Sequence, residues 1–122
     1  MSDKFIINGG KPLEGVIEVR GSKNAAGPAL AATLLTSDEC IIDNLPLIAD
    51  IKNTIAVLES IGAKVEFLSE RKIKVKAESL NLENIDFEKI SKTRMSVVLF
   101  GSLLARVKDF RISAPGGDAI GM

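Results

Sequence analysis

Two stretches of the 122-residue chain hold side chains in arrangements that chemistry could use. In Gly21-Ser22-Lys23-Asn24, a lysine and an asparagine stand immediately before the Ala- and Leu-rich run 25–35. A helix beginning there presents unpaired N–H groups and the positive end of its dipole beside the lysine charge, a combination that favours a phosphate or carboxylate. Asn24 adds a group that can donate to, or accept from, a substrate hydroxyl. The P-loop pattern is not met, because no Ser or Thr follows Lys23. A solvated lysine and an asparagine cap account for the same residues without a ligand. The second stretch, Ala114-Pro115-Gly116-Gly117-Asp118-Ala119-Ile120-Gly121-Met122, sets a single carboxylate among three glycines. Backbone in such a loop can approach a ligand closely. Asp118 is then either a catalytic acid or a turn aspartate, and spacing alone favours the turn, since Asp and Gly are default turn residues.

Composition removes several classes of function. Sixteen basic residues balance sixteen acidic ones, so no net positive field draws the chain to nucleic acid or to an anionic membrane. Five Phe with no Tyr or Trp leave few stacking platforms for single-stranded nucleic acid. The absence of His excludes Ser-His and Cys-His nucleophile pairs and histidine metal sites. The single cysteine, Cys40, excludes an intrachain disulfide and suits a reducing compartment; within Cys40-Ile41-Ile42 it reads as a buried structural thiol. No signal peptide is evident after Met1-Ser2-Asp3-Lys4, and the longest nearly apolar run, 97–107, is too short to span a bilayer. A cytoplasmic protein, one domain or part of a larger one, is expected.

The elements that must carry these side chains follow from periodicity. Phe5-Ile6-Ile7 and Val16-Ile17-Glu18-Val19 read as two strands joined through Asn8-Gly9-Gly10-Lys11-Pro12. The run 25–35, with Pro28 near its start, reads as a helix almost without a polar face, which predicts burial between other elements. Residues 40–44 read as a strand. Asp50 is placed as a helix cap, with Ile51, Ile55, Leu58 and Ile61 on one apolar face and Gly62 as the stop. Residues 63–67 and 73–77 alternate with period two about Ser69-Glu70-Arg71-Lys72 and predict a hairpin whose basic residues face solvent. After an acidic connection over 80–88, a second apolar helix is expected from about Ser91 to Arg106, followed by a strand over Phe110-Arg111-Ile112-Ser113. An offset of 69 residues aligns Ser22-Lys23 with Ser91-Lys92, Leu30 with Leu99, Leu34-Leu35 with Leu103-Leu104 and Pro46 with Pro115, which points to a duplicated βα unit.

Taken together and in order, Gly21-Ser22-Lys23-Asn24-Ala25-Ala26, Lys92-Thr93-Arg94 and Pro115-Gly116-Gly117-Asp118-Ala119-Ile120-Gly121 resemble the amino-terminal part of the UDP-N-acetylglucosamine 1-carboxyvinyltransferase family, the UDP-GlcNAc enolpyruvyl transferases. The sister family of 5-enolpyruvylshikimate-3-phosphate synthases resembles the chain less in the Pro-Gly-Gly loop. The resemblance implies an α/β (α+β) fold, part of an inside-out barrel built from βαβαββ repeats. Residues 1–21 would be strands that pack with the second lobe, and 22–122 an incomplete first lobe. It implies transfer of the enolpyruvyl group of phosphoenolpyruvate to the 3-hydroxyl of UDP-N-acetylglucosamine with release of phosphate, the first committed step of peptidoglycan synthesis, without a metal or organic cofactor.

Carried over by position, Lys23 engages phosphoenolpyruvate, Asn24 helps place the substrates, and Arg94 belongs to nucleotide-sugar binding. Asp118 takes the place of the general acid, which is Cys in most members and Asp in some. Fosfomycin alkylates that cysteine, so its replacement implies resistance. The family enzyme is several-fold longer. The chain by itself is therefore expected to be inactive, and to self-associate or require a completing second lobe. A phosphate-binding module without chemistry, a structural fragment, and a transferase acting on shikimate phosphate are the alternatives.

Overall fold

The computed structural model describes residues 3–92 and 94–111. Among them the chain forms helix α1 (Lys23–Ala32), a 3-10 turn (Thr33–Leu35), strand β1 (Glu39–Ile42), helix α2 (Ala49–Ser60), strands β2 (Lys64–Ser69) and β3 (Lys72–Lys76), helix α3 (Phe87–Ser91), a second 3-10 turn (Arg94–Val98) and helix α4 (Leu99–Arg106). The fold is a small α+β arrangement on a three-stranded sheet. Its strand order is β1-β3-β2, and both pairings are antiparallel.

The expected hairpin forms because its two periodicities agree in register. Val65 pairs with Val75 and Phe67 with Ile73, whereas Glu66 pairs with Lys74 and Lys64 with Lys76. One face of the central strand therefore presents Ile73 and Val75, both wholly buried, and the other presents lysines. Lys74 lies 2.8 Å from Glu66 and 3.9 Å from Glu39, and Lys72 lies 3.1 Å from Asp43, so the basic face is solvated but charge-paired. On the apolar face α2 packs against β2, and the 3-10 turn after α1 packs against β3. Helix α2 and its C-cap residue Ile61 contribute the foreseen stripe of Ile51, Ile55, Leu58 and Ile61, all buried. It stops at Gly62, whose φ of 100° suits a residue without a Cβ.

Long-range hydrogen bonds tie the helices to the sheet. Arg106 donates from Nη1 to the Leu34 carbonyl at 2.8 Å and from Nη2 to the Ala77 carbonyl at 3.0 Å. Arg71 donates from Nη1 to the Leu45 carbonyl at 3.1 Å. The Leu80–Glu88 connection resolves into a turn and the start of α3, where the Asp86 carboxylate accepts from the Lys89 N–H at 2.9 Å.

Several expectations are corrected. Residues 3–20 form no strand: Phe5, Val16 and Ile17 are almost fully exposed, and the arm pairs with neither open edge of the sheet. Helix α1 buries one side only, with Ala26, Gly27, Leu30 and Ala31 inward and Ala25, Pro28, Ala29 and Ala32 exposed. Asp50 is not the cap of α2. Ile48 holds that position, and Asp50 lies in the first helical turn. Cys40 is half-buried rather than buried, because β1 is an edge strand.

The single helix expected over 91–106 is broken into the end of α3, a 3-10 turn and α4. Phe110 and Arg111 are not in a strand, and Ile112 and Ser113 lie outside the described residues, as does Thr93. The 69-residue echo does not map element onto element: the counterpart of α1, residues 92–101, is largely the 3-10 turn, and residues 108–111, the counterpart of β1, carry no strand. Among the described residues no helix is long and apolar enough to cross a membrane.

Candidate functional site

Lys23 and Asn24 are the first two residues of α1. The extended residue before them, Ser22 (φ −73°, ψ 134°), holds the cap position without a side-chain cap bond, so Asn24 is not the cap. The first N–H groups of the helix consequently have no side-chain acceptor from their own cap residue. Four residues after Asn24 comes Pro28, which has no N–H to donate and leaves the Asn24 carbonyl without its helical partner. The Asn24 side chain thus lies at the start of the helix, where a ligand can use it.

Helix α2 packs on α1 and brings its own amino-terminal turn to the same place. The Lys23 ammonium donates to Asp50 Oδ2 at 3.1 Å, and both side chains are partly exposed. The third contributor comes from far along the chain. The 3-10 turn Arg94–Val98 lies against α1, with Met95 over Gly27. A Cβ at position 27 would overlap the methyl group at the end of the Met95 side chain, so the glycine leaves room for that side chain against α1.

Lys23, Asn24, Pro28, Asp50, Arg94, Met95 and Val98 together line a pocket of about 280 Å³. Three residues singled out in the sequence, Lys23, Asn24 and Arg94, are brought together on its wall. Two cations and one carboxylate there give a local excess of positive charge, and two helix amino termini add to it. The arrangement can receive a small anion and hydrogen-bond its hydroxyl or carbonyl groups. Asp118, the expected acid, and the loop 114–122 lie outside the described residues.

A second pocket of about 200 Å³ flanks the other side of α1 and is lined mainly by Gly21, Ala25, Ala26, Ala29, Ile42 and Pro46. Its acidic residue, Asp43, is engaged by Lys72, whose hydrogen bond holds the carboxyl below its ordinary range. The pocket therefore lacks the positive charge of the Lys23 site. Elsewhere on the surface, the hydrogen bond from Lys92 lowers the Glu88 carboxyl, with a matching rise at Lys92, and Lys74 is raised by its bond to Glu66.

Sequence reasoning missed three contributors. Asp50 was legible only as the start of a helix. Gly27 and Met95 carried no local signal, because their role arises from packing across 68 positions of the chain (95 − 27).

Residues 7–122 match the EPSP synthase (3-phosphoshikimate 1-carboxyvinyltransferase) family, and the chain belongs to it. Its curated relatives include UDP-N-acetylglucosamine 1-carboxyvinyltransferase of Methylacidiphilum infernorum, 41% identical over 119 residues. They also include UDP-N-acetylglucosamine 1-carboxyvinyltransferase 1 of Symbiobacterium thermophilum, 43% identical over 124 residues, and the Helicobacter pylori (strain 26695) protein named UDP-N-acetylglucosamine 1-carboxyvinyltransferase, 43% identical over 119. Each comparison covers 98% of this chain and 28% of the relative, so the chain spans just over a quarter of the length of these proteins. The resemblance read from the ordered motifs is borne out.

Proposed function

We propose that this chain supplies part of the substrate site of a UDP-N-acetylglucosamine enolpyruvyl transferase. The observation that carries the reading is the convergence of Lys23, Asn24 and Arg94 on one pocket at the amino terminus of α1. In this reading Lys23 holds phosphoenolpyruvate, Asn24 orients the substrates, and Arg94 engages the nucleotide sugar. The sugar 3-hydroxyl oxygen adds to C2 of phosphoenolpyruvate, losing its proton to a base or water, as the methylene carbon takes up a proton. Departure of phosphate from C2 of this adduct together with one proton of the new methyl group then restores the carbon–carbon double bond. Cations placed at the substrate oxygens stabilise the charge that develops on them.

Asp118 is proposed as the acid that protonates the methylene carbon. Its carboxyl must hold a proton near neutral pH, against an ordinary pKa of about 3.9, and desolvation in a closed site shifts a carboxyl in that direction. With Asp at this position, fosfomycin finds no thiol there. Intact mass after incubation with fosfomycin is expected to show no adduct on Asp118, and a stoichiometric adduct mapped to that residue would overturn its assignment.

The order α1-β1-α2-β2-β3 matches a βαβαββ repeat without its leading strand, which supports assigning 22–122 to the first lobe of the inside-out barrel. The exposed apolar side chains of the arm support assigning residues 1–21 to strands that pack on a second lobe. The proposed activity would place the protein in peptidoglycan synthesis. The test is titration of phosphoenolpyruvate and UDP-N-acetylglucosamine into the folded chain and into Lys23→Met. Saturable binding of phosphoenolpyruvate that falls at least about tenfold with the lysine removed is expected, the range for a charge-assisted contact. Binding indifferent to Lys23 would remove the basis of the reading.

A further inference from the structure

The pocket contains one group to which the proposed reaction assigns no role. Asp50 is the only acidic side chain among the described residues lining it, and its Oδ2 lies 3.1 Å from the Lys23 ammonium. An acid at an anion site opposes ligand charge, so its placement calls for a reason. The two residues are 27 positions apart and belong to different helices, so the contact is a product of the α1–α2 packing rather than of local sequence. Asp50 is itself well anchored. It sits in the first turn of α2, where the dipole favours a carboxylate, and its backbone carbonyl accepts from Thr54 Oγ1 at 2.8 Å. Lys23, by contrast, is a four-carbon stem with large rotamer freedom and roughly half its side chain in solvent. An ammonium has three donors, and one given to Asp50 leaves two for a ligand.

We propose that Asp50 is a positioning residue that holds the Lys23 ammonium at the pocket, so that a phosphate-bearing substrate meets a cation already in place. The proposal rests on the reading of Lys23 as the phosphate-holding residue. Asp50 has two effects of opposite sign: its hydrogen bond fixes the lysine, and its charge repels the anion. Two substitutions separate them. Asp50→Asn keeps an oxygen acceptor for Lys23 and removes the charge, whereas Asp50→Ala removes both. Asp50→Ser, compatible with a helix start but too short to reach the ammonium, replaces the alanine variant if that variant fails to melt cooperatively.

Phosphoenolpyruvate is titrated into the folded chain by calorimetry. Asp50→Ala is expected to bind roughly three- to tenfold more weakly, the scale set by the freedom returned to a half-exposed lysine. Asp50→Asn is expected to bind within about twofold of the original or more tightly, as the lost repulsion is a screened surface term. In a Lys23→Met background the alanine substitution is expected to have no further effect. Alanine and asparagine variants that both bind more tightly would make Asp50 a mere competitor for the lysine and overturn the proposal. So would an alanine variant that binds like the original, or an alanine effect that persists without Lys23. If the original chain shows no Lys23-dependent binding, the functional reading falls and this proposal with it. An unchanged alanine variant with Lys23 dependence intact removes the positioning role alone.

Discussion

The hairpin over 63–77 and the arm over 3–20 are written in similar residues, yet only the hairpin becomes a sheet. Both contain runs of Val and Ile that suit an extended backbone. In the hairpin, Ile73 and Val75 meet a helical layer on one face and flanking strands on both edges. In the arm, Ile6, Val16 and Ile17 meet no described partner and stay more than four-fifths exposed. The difference teaches that strand propensity is fit to a half-buried surface, and that without the surface the same residues form no ladder.

The sharpest way to test that contrast is to truncate one apolar side chain in each region. Ile73→Ala should lower unfolding free energy by about 2–4 kcal/mol, since it empties a fully buried site at the centre of the sheet. Ile17→Ala should change it by less than about 0.5 kcal/mol. Urea denaturation measures both, and comparable losses would show that the arm packs on the body in solution.

A smaller effect is expected from local order with little burial. Asp86→Ala removes the carboxylate that accepts from Lys89 N–H and should cost about 1 kcal/mol, read by the same denaturation. Loss much beyond that would mean that α3 anchors Ile90 more strongly than its single cap implies.

The smallest effect belongs to the charged surface. Asp43 and Glu88 have carboxyls held below their ordinary values by Lys72 and Lys92, so the folded state binds protons less readily than the unfolded one. Their contribution is complete above the ordinary carboxylate range and is lost as pH falls through it and below. Because all these groups are exposed, the melting temperature should drop only slightly on acidification from these pairs, and about 0.5 M salt should blunt the drop. A salt-insensitive acid transition would point to other carboxylates.

The parts of the fold that were legible share a physical cause. In β3 and along the Ile51-Ile55-Leu58 stripe of α2, the apolar positions face one core, so the one-dimensional period of 2 or 3.6 reports the three-dimensional face directly, whereas Phe67 of β2 stays about half exposed. Gly62 is legible for a similar reason, because the backbone conformation at a helix stop selects its residue locally. The broken stretch after Ser91 was not legible. Residues 92–98, Lys-Thr-Arg-Met-Ser-Val-Val, contain no Gly or Pro to mark a break, so a continuous helix fits them as well as a 3-10 turn.

The sequence by itself determined the hairpin, the apolar face of α2, the lysine and asparagine at the start of α1 and, through the order of its motifs, the family. Tertiary structure decided which of those residues meet. The packing of α1 on α2 brings Asp50 to Lys23, and the packing of the 3-10 turn 94–98 on α1 brings Arg94 to the same pocket. Propensity and periodicity act over a few residues, whereas these contacts join positions 27 to 71 apart (50 − 23 and 94 − 23), where burial and steric fit choose the partner.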